Sequence, residues 1–369
     1  MAAVNLVGCL AFSTFFLMIS LAPALAWESG GDVAAGAVTT TFMVATTATQ
    51  LMMPRLGKTW RPASLMSFSL VLLGPPSLGY LIQDSLPLAL SVAMLRGVGF
   101  GIITVLTTTL VYVYAKDTAR GAALGFYGLL SSLAGAFLPA LGIFLLARSQ
   151  ISMAIAIATV LPLAGLFLLK PIKEASPAPL SRGKAMSHKL WISIGITGVF
   201  VPLLTFVPAA VAYGGQYTFL ALSSSNPAVS LLFFGAAFAL GRYFVGRLSD
   251  RFQPSYLILI SSILAFLGVS AIAFHLAEPA TLVSIIMAGL GVGGMATTSL
   301  IIVLRALDPG DVAVGSTLWN ATFDTGIAIG GLGLGMVSSK YGYSSGFGLI
   351  SVILSLSVVL ALFLRRTVA

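Results

Sequence analysis

Charge is what this chain has least of. Of 369 residues, 19 are Lys or Arg and 10 are Asp or Glu, 8% in all, where soluble domains run nearer 25%. A soluble fold of this length would lack the charge to wet its surface, so that class is excluded. Cysteine is nearly absent too: Cys9 stands alone, which excludes a disulfide framework and a thiolate metal cluster. The two histidines, His188 and His275, are far apart, and no metal or cofactor is expected. No nucleophile–base set and no Walker loop occurs. The glycine strings 97/99/101, 289/291/293/294 and 326/330/331/333/335 lack the preceding strand that a nucleotide loop needs. They suit close helix approach instead. The expectation is a protein that is not an enzyme.

What is there is apolar: 58% hydrophobic residues and a mean hydropathy of +1.04. Runs near 20 residues are membrane-span candidates. They fall at about 4–26, 33–53, 63–83, 86–115, 120–148 and 150–169, then at about 190–214, 226–246, 256–276, 279–305, 311–337 and 341–364. The fold class expected is therefore an all-α polytopic membrane protein of about twelve transmembrane helices in two six-helix, pseudo-symmetric bundles, residues 1–169 and 190–369. The Pro-, Ser- and Lys-rich segment 170–189 reads as a cytoplasmic linker between them. "LVGC" at 6–9 and "ALA" at 24–26 resemble processing sites, but no basic residue precedes Arg55, and a leader needs a positive n-region. A first membrane helix is the better reading.

With the N-terminus in the cytoplasm, fifteen of the nineteen basic residues fall on inner segments and two, Arg148 and Lys340, on outer ones, while Arg96 and Arg242 lie within spans. That bias fixes orientation by the positive-inside rule, with both termini cytoplasmic. The basic pI of about 9.8 thus reflects topology, and no nucleic-acid partner is expected.

The sequence repeats itself. Arg55, Leu56, Pro62 and Leu65, shifted by 192, land on Arg247, Leu248, Pro254 and Leu257; Gly97, Gly99 and Gly101 land on Gly289, Gly291 and Gly293. Two parallel halves of six helices are a transporter plan, with a substrate site between the halves and alternating access by rocking. One chain holds both halves, so a monomer suffices.

"GRYFVGRLSDRF" (241–252), "RGVGFG" (96–101) and "LPALG" (138–142) carry a more specific likeness. Over essentially its whole length the chain resembles the major facilitator superfamily, in its proton-coupled efflux members. The first stretch resembles the signature between the second and third helices of each half. The second resembles the fourth-helix arginine motif, which implies a link between Arg96 and proton transfer. The third resembles the exporters' fifth-helix motif, with Leu138-Pro139 where that motif has Gly-Pro. The resemblance implies a bacterial-type inner membrane protein that exports small amphipathic compounds against protons. The alternatives are a carrier of a defined metabolite (a sugar, siderophore or amino-acid derivative), a lipid translocator, and a receptor or scaffold without flux.

Charges then suggest sites. In the Gly246–Phe252 loop, Asp250 can meet a helix N-terminus of the other half, where partial positive charge and free N–H groups collect. The resemblance points to the helix starting near Ala119. Arg242, Gly246, Arg247 and Arg251 would frame this cytoplasmic latch, for which roughly 1–3 kcal/mol suits a switch. Lys58 stands at the position equivalent to Asp250, which suggests a charge-swapped latch of Lys58 or Arg55 with Asp308 or Asp311. The alternatives are that the knot of charge only enforces orientation and that the Lys58 and Asp308–Asp311 segments are two solvated loops.

Asp324 is the one acid deep in a span, where a charge costs about 2.5–3.5 kcal/mol. It is the candidate for proton coupling or for binding a cation, with Asn320 one turn earlier on the same face. Arg96 needs a buried partner. Spacing does not say whether that partner is Asp324. Packing roles for both are the plainer reading. Candidate cavity residues are Phe15, Thr41, Thr104, Tyr127, Tyr213, Gln216, Phe234, Met295, Thr298, Trp319 and Phe323, mostly aromatic or apolar. The partners expected are a small-molecule substrate, protons and the lipid bilayer.

Overall fold

The computed structural model describes residues 1–82, 85–115, 120–175, 196–274, 279–307 and 312–368. These are helical apart from short turns: α1 (Ala2–Thr59), α2 (Pro62–Leu73), a 3₁₀ segment (Pro75–Leu81), α3 (Leu86–Tyr114), α4 (Arg120–Ala147), α5 (Ile151–Leu166) and α6 (Lys170–Ala175). A π turn (Ile196–Phe200) then leads into α7 (Val201–Ser223), followed by α8 (Pro227–Leu248), α9 (Pro254–Ala273), α10 (Ala280–Arg305) and α11 (Val312–Val368). Most of 170–189, with Ala119, Asp308, Asp311 and the Lys58 side chain, lies outside the described residues.

Fifty-eight residues of straight helix would run about 87 Å against a hydrocarbon core of about 30 Å. The chain breaks α1 at Gly30 and Gly31, the latter at φ 65°, and α11 at Gly342, at φ 81°. Only glycine takes that left-handed region without penalty. Each long helix becomes a hairpin of two crossings. Phe15 and Phe42, on opposite arms of α1, stack at 5.5 Å. Among the described residues, eight helices are long and apolar enough to cross a membrane, two of them doubled back in this way, and the shorter apolar helices Leu133–Ala147 and Ile151–Leu166 bring the crossings to twelve. The protein is an all-helical integral membrane protein.

One span changes helix type part-way, and one boundary differs from the sequence reading. The third crossing changes to 3₁₀ after Gly74 because Pro75 and Pro76 remove two N–H donors. The seventh runs to Ser223 rather than ending near 214. Gly214 and Gly215 do not stop it. They let α7 press on α11, and a methyl at Gly214 would lie 2.4 Å from the Ile327 carbonyl oxygen.

The sequence repeat returns as a repeat of contacts. Gly97 lies against the Phe42 carbonyl and Gly289 against that of Phe234; Gly101 lies against Thr46 and Gly293 against Phe238; Gly99 lies against Ser69 and Gly291 against Ser261. Every partner obeys the same shift of 192. Pro62 and Pro254 likewise both open helices at the first turn, where a missing N–H costs nothing. A methyl at Gly293 would stand 2.1 Å from the Phe238 oxygen, so backbones must separate. Gly293→Ala is expected to lower stability by about 1–3 kcal/mol, read as a lower melting temperature in detergent. Gly333→Ala, which meets nothing within 4 Å, should leave it unchanged.

Candidate functional site

The α1–α5 and α7–α11 sides of the molecule meet closely at the end that carries the Gly31 and Gly342 turns. Ser20 Oγ donates to the Tyr217 carbonyl at 2.5 Å, Thr39 and Thr218 hydroxyls pair at 3.0 Å, and Thr40 Oγ1 donates to the Ala328 carbonyl at 2.6 Å. Tyr217 OH donates to the Gly135 carbonyl at 2.9 Å. Asp32 Oδ1 accepts from Trp27 Nε1 and from Tyr343 OH, each at 2.8 Å. At Gly36 a methyl would sit 2.4 Å from the Gly331 oxygen.

Toward the end that carries the chain termini the two sides part around a cavity of about 320 Å³. Its walls come from the terminal-side parts of α1, α3, α4, α8 and α11, with Tyr213 of α7. The aromatic part is built from both sides: Phe15 stacks on Phe100 at 4.2 Å, and Phe206, Trp319 and Phe323 stack among themselves at 5.1–5.5 Å. Trp319 is held by its Nε1 donating to Ser299 Oγ at 2.9 Å. Tyr127 is held by a 2.6 Å bond between its OH and Thr107.

A side-chain link between the two sides lies in the cavity wall. Gln50, on the second arm of α1, donates from Nε2 to Asp324 Oδ2 of α11 at 2.9 Å, and the same nitrogen reaches Thr104 Oγ1 of α3 at 3.4 Å. Both Gln50 and Asp324 are buried, at 6% and 8% exposure, and both line the cavity. Gln50 Oε1 has no hydrogen-bond partner among the described residues. A buried acceptor so placed favours a ligand that brings a donor. Arg242 is the other charged side chain lining the cavity among the described residues. Its guanidinium stands 5.9 Å from the Phe238 ring centroid.

The candidates from the sequence fall into groups. Phe15, Thr104, Tyr127, Tyr213, Arg242, Trp319, Asn320, Phe323 and Asp324 all line this cavity. Asn320 does not bond Asp324; its Nδ2 donates to the Ser316 carbonyl at 2.8 Å, within its own helix. Phe234, Met295, Thr298 and Gln216 do not line it. They are fully buried, and both amide atoms of Gln216 lack a partner among the described residues. Thr41, half-buried, does not line it either. Arg96 does not meet Asp324. It is buried on α3, donating to Ser77 Oγ and to the Thr14 carbonyl, beside a small separate pocket.

Asp250, Arg247 and Arg251 are exposed, and Asp250 makes no hydrogen bond or ion pair among the described residues. Gly246 faces α10, where a methyl on it would stand 3.7 Å from Thr297 Cγ2. The Ser249 carbonyl beside Asp250 accepts from Arg305 Nη2 at 3.3 Å. Sequence reasoning missed Gln50. The signal was the amide in "TTATQLMM" (46–53), a polar group whose burial in a span requires a partner.

The Major Facilitator Superfamily model matches residues 4–226 and 190–369. The chain belongs to the Major Facilitator Superfamily. Among solved structures, a bacterial homologue of the human lysosomal transporter Spinster, in an inward-facing and unoccupied conformation, is similar at a TM-score of 0.79 with 13% identity, over 99% of this chain and 96% of that one. The peptide transporter POT in complex with sulfate matches at 0.70 with 15% identity, over 99% and 93%. The nucleoside transporter NupG matches at 0.71 with 11% identity, over 99% and 98%. At these identities the likeness is one of fold. A search of curated proteins finds no match. As a Major Facilitator Superfamily member, the protein is a secondary transporter.

Proposed function

We propose that the protein exports small amphipathic compounds in exchange for protons, by rocking of residues 1–169 against 190–369. The observation that carries this reading is the Gln50–Asp324 bond, a carboxylate of one half bonded to an amide of the other inside an aromatic cavity. A group that gains and loses a proton at that junction changes the contact between the halves. It therefore biases which side is open, as any ligand does that binds two states unequally. The proposed setting is a bacterial-type inner membrane with cytoplasmic termini, supported by the fifteen-to-two distribution of basic residues. The cavity then faces the cytoplasm, and the protein works as a monomer.

The test is flux in proteoliposomes under an imposed pH gradient, against cationic, neutral and anionic compounds. Gradient-driven flux supports exchange. Flux indifferent to the gradient makes the protein a uniporter or a differently coupled carrier.

In this reading Asp250 latches the cytoplasmic side when it closes, and its exposure with that side open is what a released latch requires. Asp250→Asn is expected to slow transport about tenfold, the equivalent of about 1.4 kcal/mol, with substrate affinity unchanged. Equal flux in the variant would leave the charges as orientation signals. Lys58→Asp is expected to impair transport in the same assay through the second latch.

A second reading has its own observation. A broad apolar groove of about 560 Å³ between α1 and α11, lined by Met43, Val44, Leu51, Ala328, Ile329 and Met336, opens on the side of the bundle. A lipid translocator needs such a lateral opening, and lipid-dependent flux would favour it.

A further inference from the structure

We propose that the substrate site between Gln50 and Asp324 selects compounds that carry a protonated amine with N–H donors, and that proton and amine exclude one another there by turning the Gln50 amide. This rests on the exchange reading above and names its substrate class.

The argument starts from acceptors. Gln50 spends its amide nitrogen on Asp324 and Thr104, while its buried Oε1 has no partner among the described residues. Asp324, when ionised, only accepts. The pair therefore offers acceptors and wants donors. A primary ammonium has three. Seated against Asp324 it replaces the Gln50 N–H at Oδ2 and gives a second hydrogen to Oε1. The aromatic walls, Phe15, Phe100, Tyr213 and Phe323, suit the apolar remainder, and ring faces attract cations.

An anion meets the opposite conditions at this wall. Arg242, on the facing α8, confines the cation to the Asp324 side. Among the described residues, the titratable and charged side chains around the pair are Tyr112 of α3, Tyr127 of α4, Tyr213 of α7 and Arg242 of α8, with no second carboxylate.

Protonation of Asp324 reverses the site. The carboxylic O–H donates to Gln50 Oε1, the amide turns over, and its N–H groups face where the ammonium would sit. Gln50 Oε1 is then occupied, and Asp324 has lost the charge that holds an ammonium. A proton and an ammonium then compete for one oxygen pair, which is the condition for exchange rather than co-transport.

The experiment is equilibrium binding to the full-length protein in detergent, with four naphthyl probes: naphthylmethylammonium, its trimethylammonium analogue, naphthylmethanol and naphthoate. The ammonium is expected to bind about tenfold more tightly than the alcohol and about fivefold more tightly than the trimethylammonium, which has charge but no N–H. Naphthoate is expected to bind weakest. In Gln50→Leu the preference for ammonium over trimethylammonium should fall about twofold, because one of the two acceptors is lost while Asp324 remains. In Gln50→Glu, which retains an acceptor, it should persist. Each ratio is taken within one variant, so a lower folded fraction cancels.

Equal affinity for all four probes, no binding of any, or an unchanged ratio in Gln50→Leu overturns the proposal. Binding needs no gradient, so the two readings fail separately. Ammonium selectivity with gradient-indifferent flux removes exchange and keeps the substrate class. Gradient-driven flux of compounds without an amine does the reverse.

Discussion

Asp324→Asn is expected to abolish pH-gradient-driven flux, a loss of at least about tenfold, while the protein still folds and inserts. Asparagine matches aspartate in shape and can still bond Gln50, because that amide can present either its N–H or its carbonyl. What it cannot do is take up and release a proton. The exchange arm of the cycle is then lost, and substrate equilibrates down its own gradient or stays bound. A buried carboxylate with one modest partner is costly at the membrane centre, so the variant is expected to be no less stable than the parent. Flux and melting temperature measured together decide the matter. Lost coupling with retained stability supports the carrier role. Unchanged coupling makes Asp324 a packing residue. Lost stability with retained coupling would also assign it to packing.

Gly36→Ala is expected to be the most damaging substitution at the closed end. Its methyl would stand 2.4 Å from the Gly331 oxygen and 2.9 Å from the carbonyl carbon. Those are backbone atoms of the other half and cannot swing aside as a side chain can. The steric cost falls on the state in which this end is shut. Because packed interfaces switch between discrete arrangements, a cost of about 1.4 kcal/mol already shifts the two-state ratio tenfold.

Two measurements check this. Transport should fall about tenfold. In a background with Cys9 replaced by serine, labelling of Thr39→Cys by a membrane-impermeant maleimide should rise, since Thr39 is sealed against Thr218 in the closed seam. Labelling and transport equal to those of the parent would mean that this seam does not open during the cycle.

The helical membrane architecture was legible in the sequence because its cause is compositional: continuous apolar runs near 20 residues satisfy their backbone in lipid as helices, where barrel strands would alternate over about ten. The duplication was legible because Gly97, Gly99 and Gly101 recur at a fixed shift, and the contacts they make recur with them. Asp324 stood out as a lone acid in a span, and the aromatic residues Tyr127, Tyr213, Trp319 and Phe323 as lining candidates, because a cavity between helices must draw on such positions.

Pairing was decided only by the tertiary structure. Gln50 and Asp324 are 274 residues apart, and no periodicity relates them. Their meeting depends on how the second arm of α1 crosses α11. Arg96 shows the converse. Its sequence context left its partner open, and the fold gives it a serine hydroxyl and a backbone carbonyl instead of an acid. Gln216 and Phe234 were equally plausible cavity residues by type, but helix rotation buries them. The sequence by itself determined the solvent each segment must face, because transfer energies are properties of single residues. Which polar groups touch, and which end of the bundle stands open, are properties of helix packing, and only the folded molecule determines them.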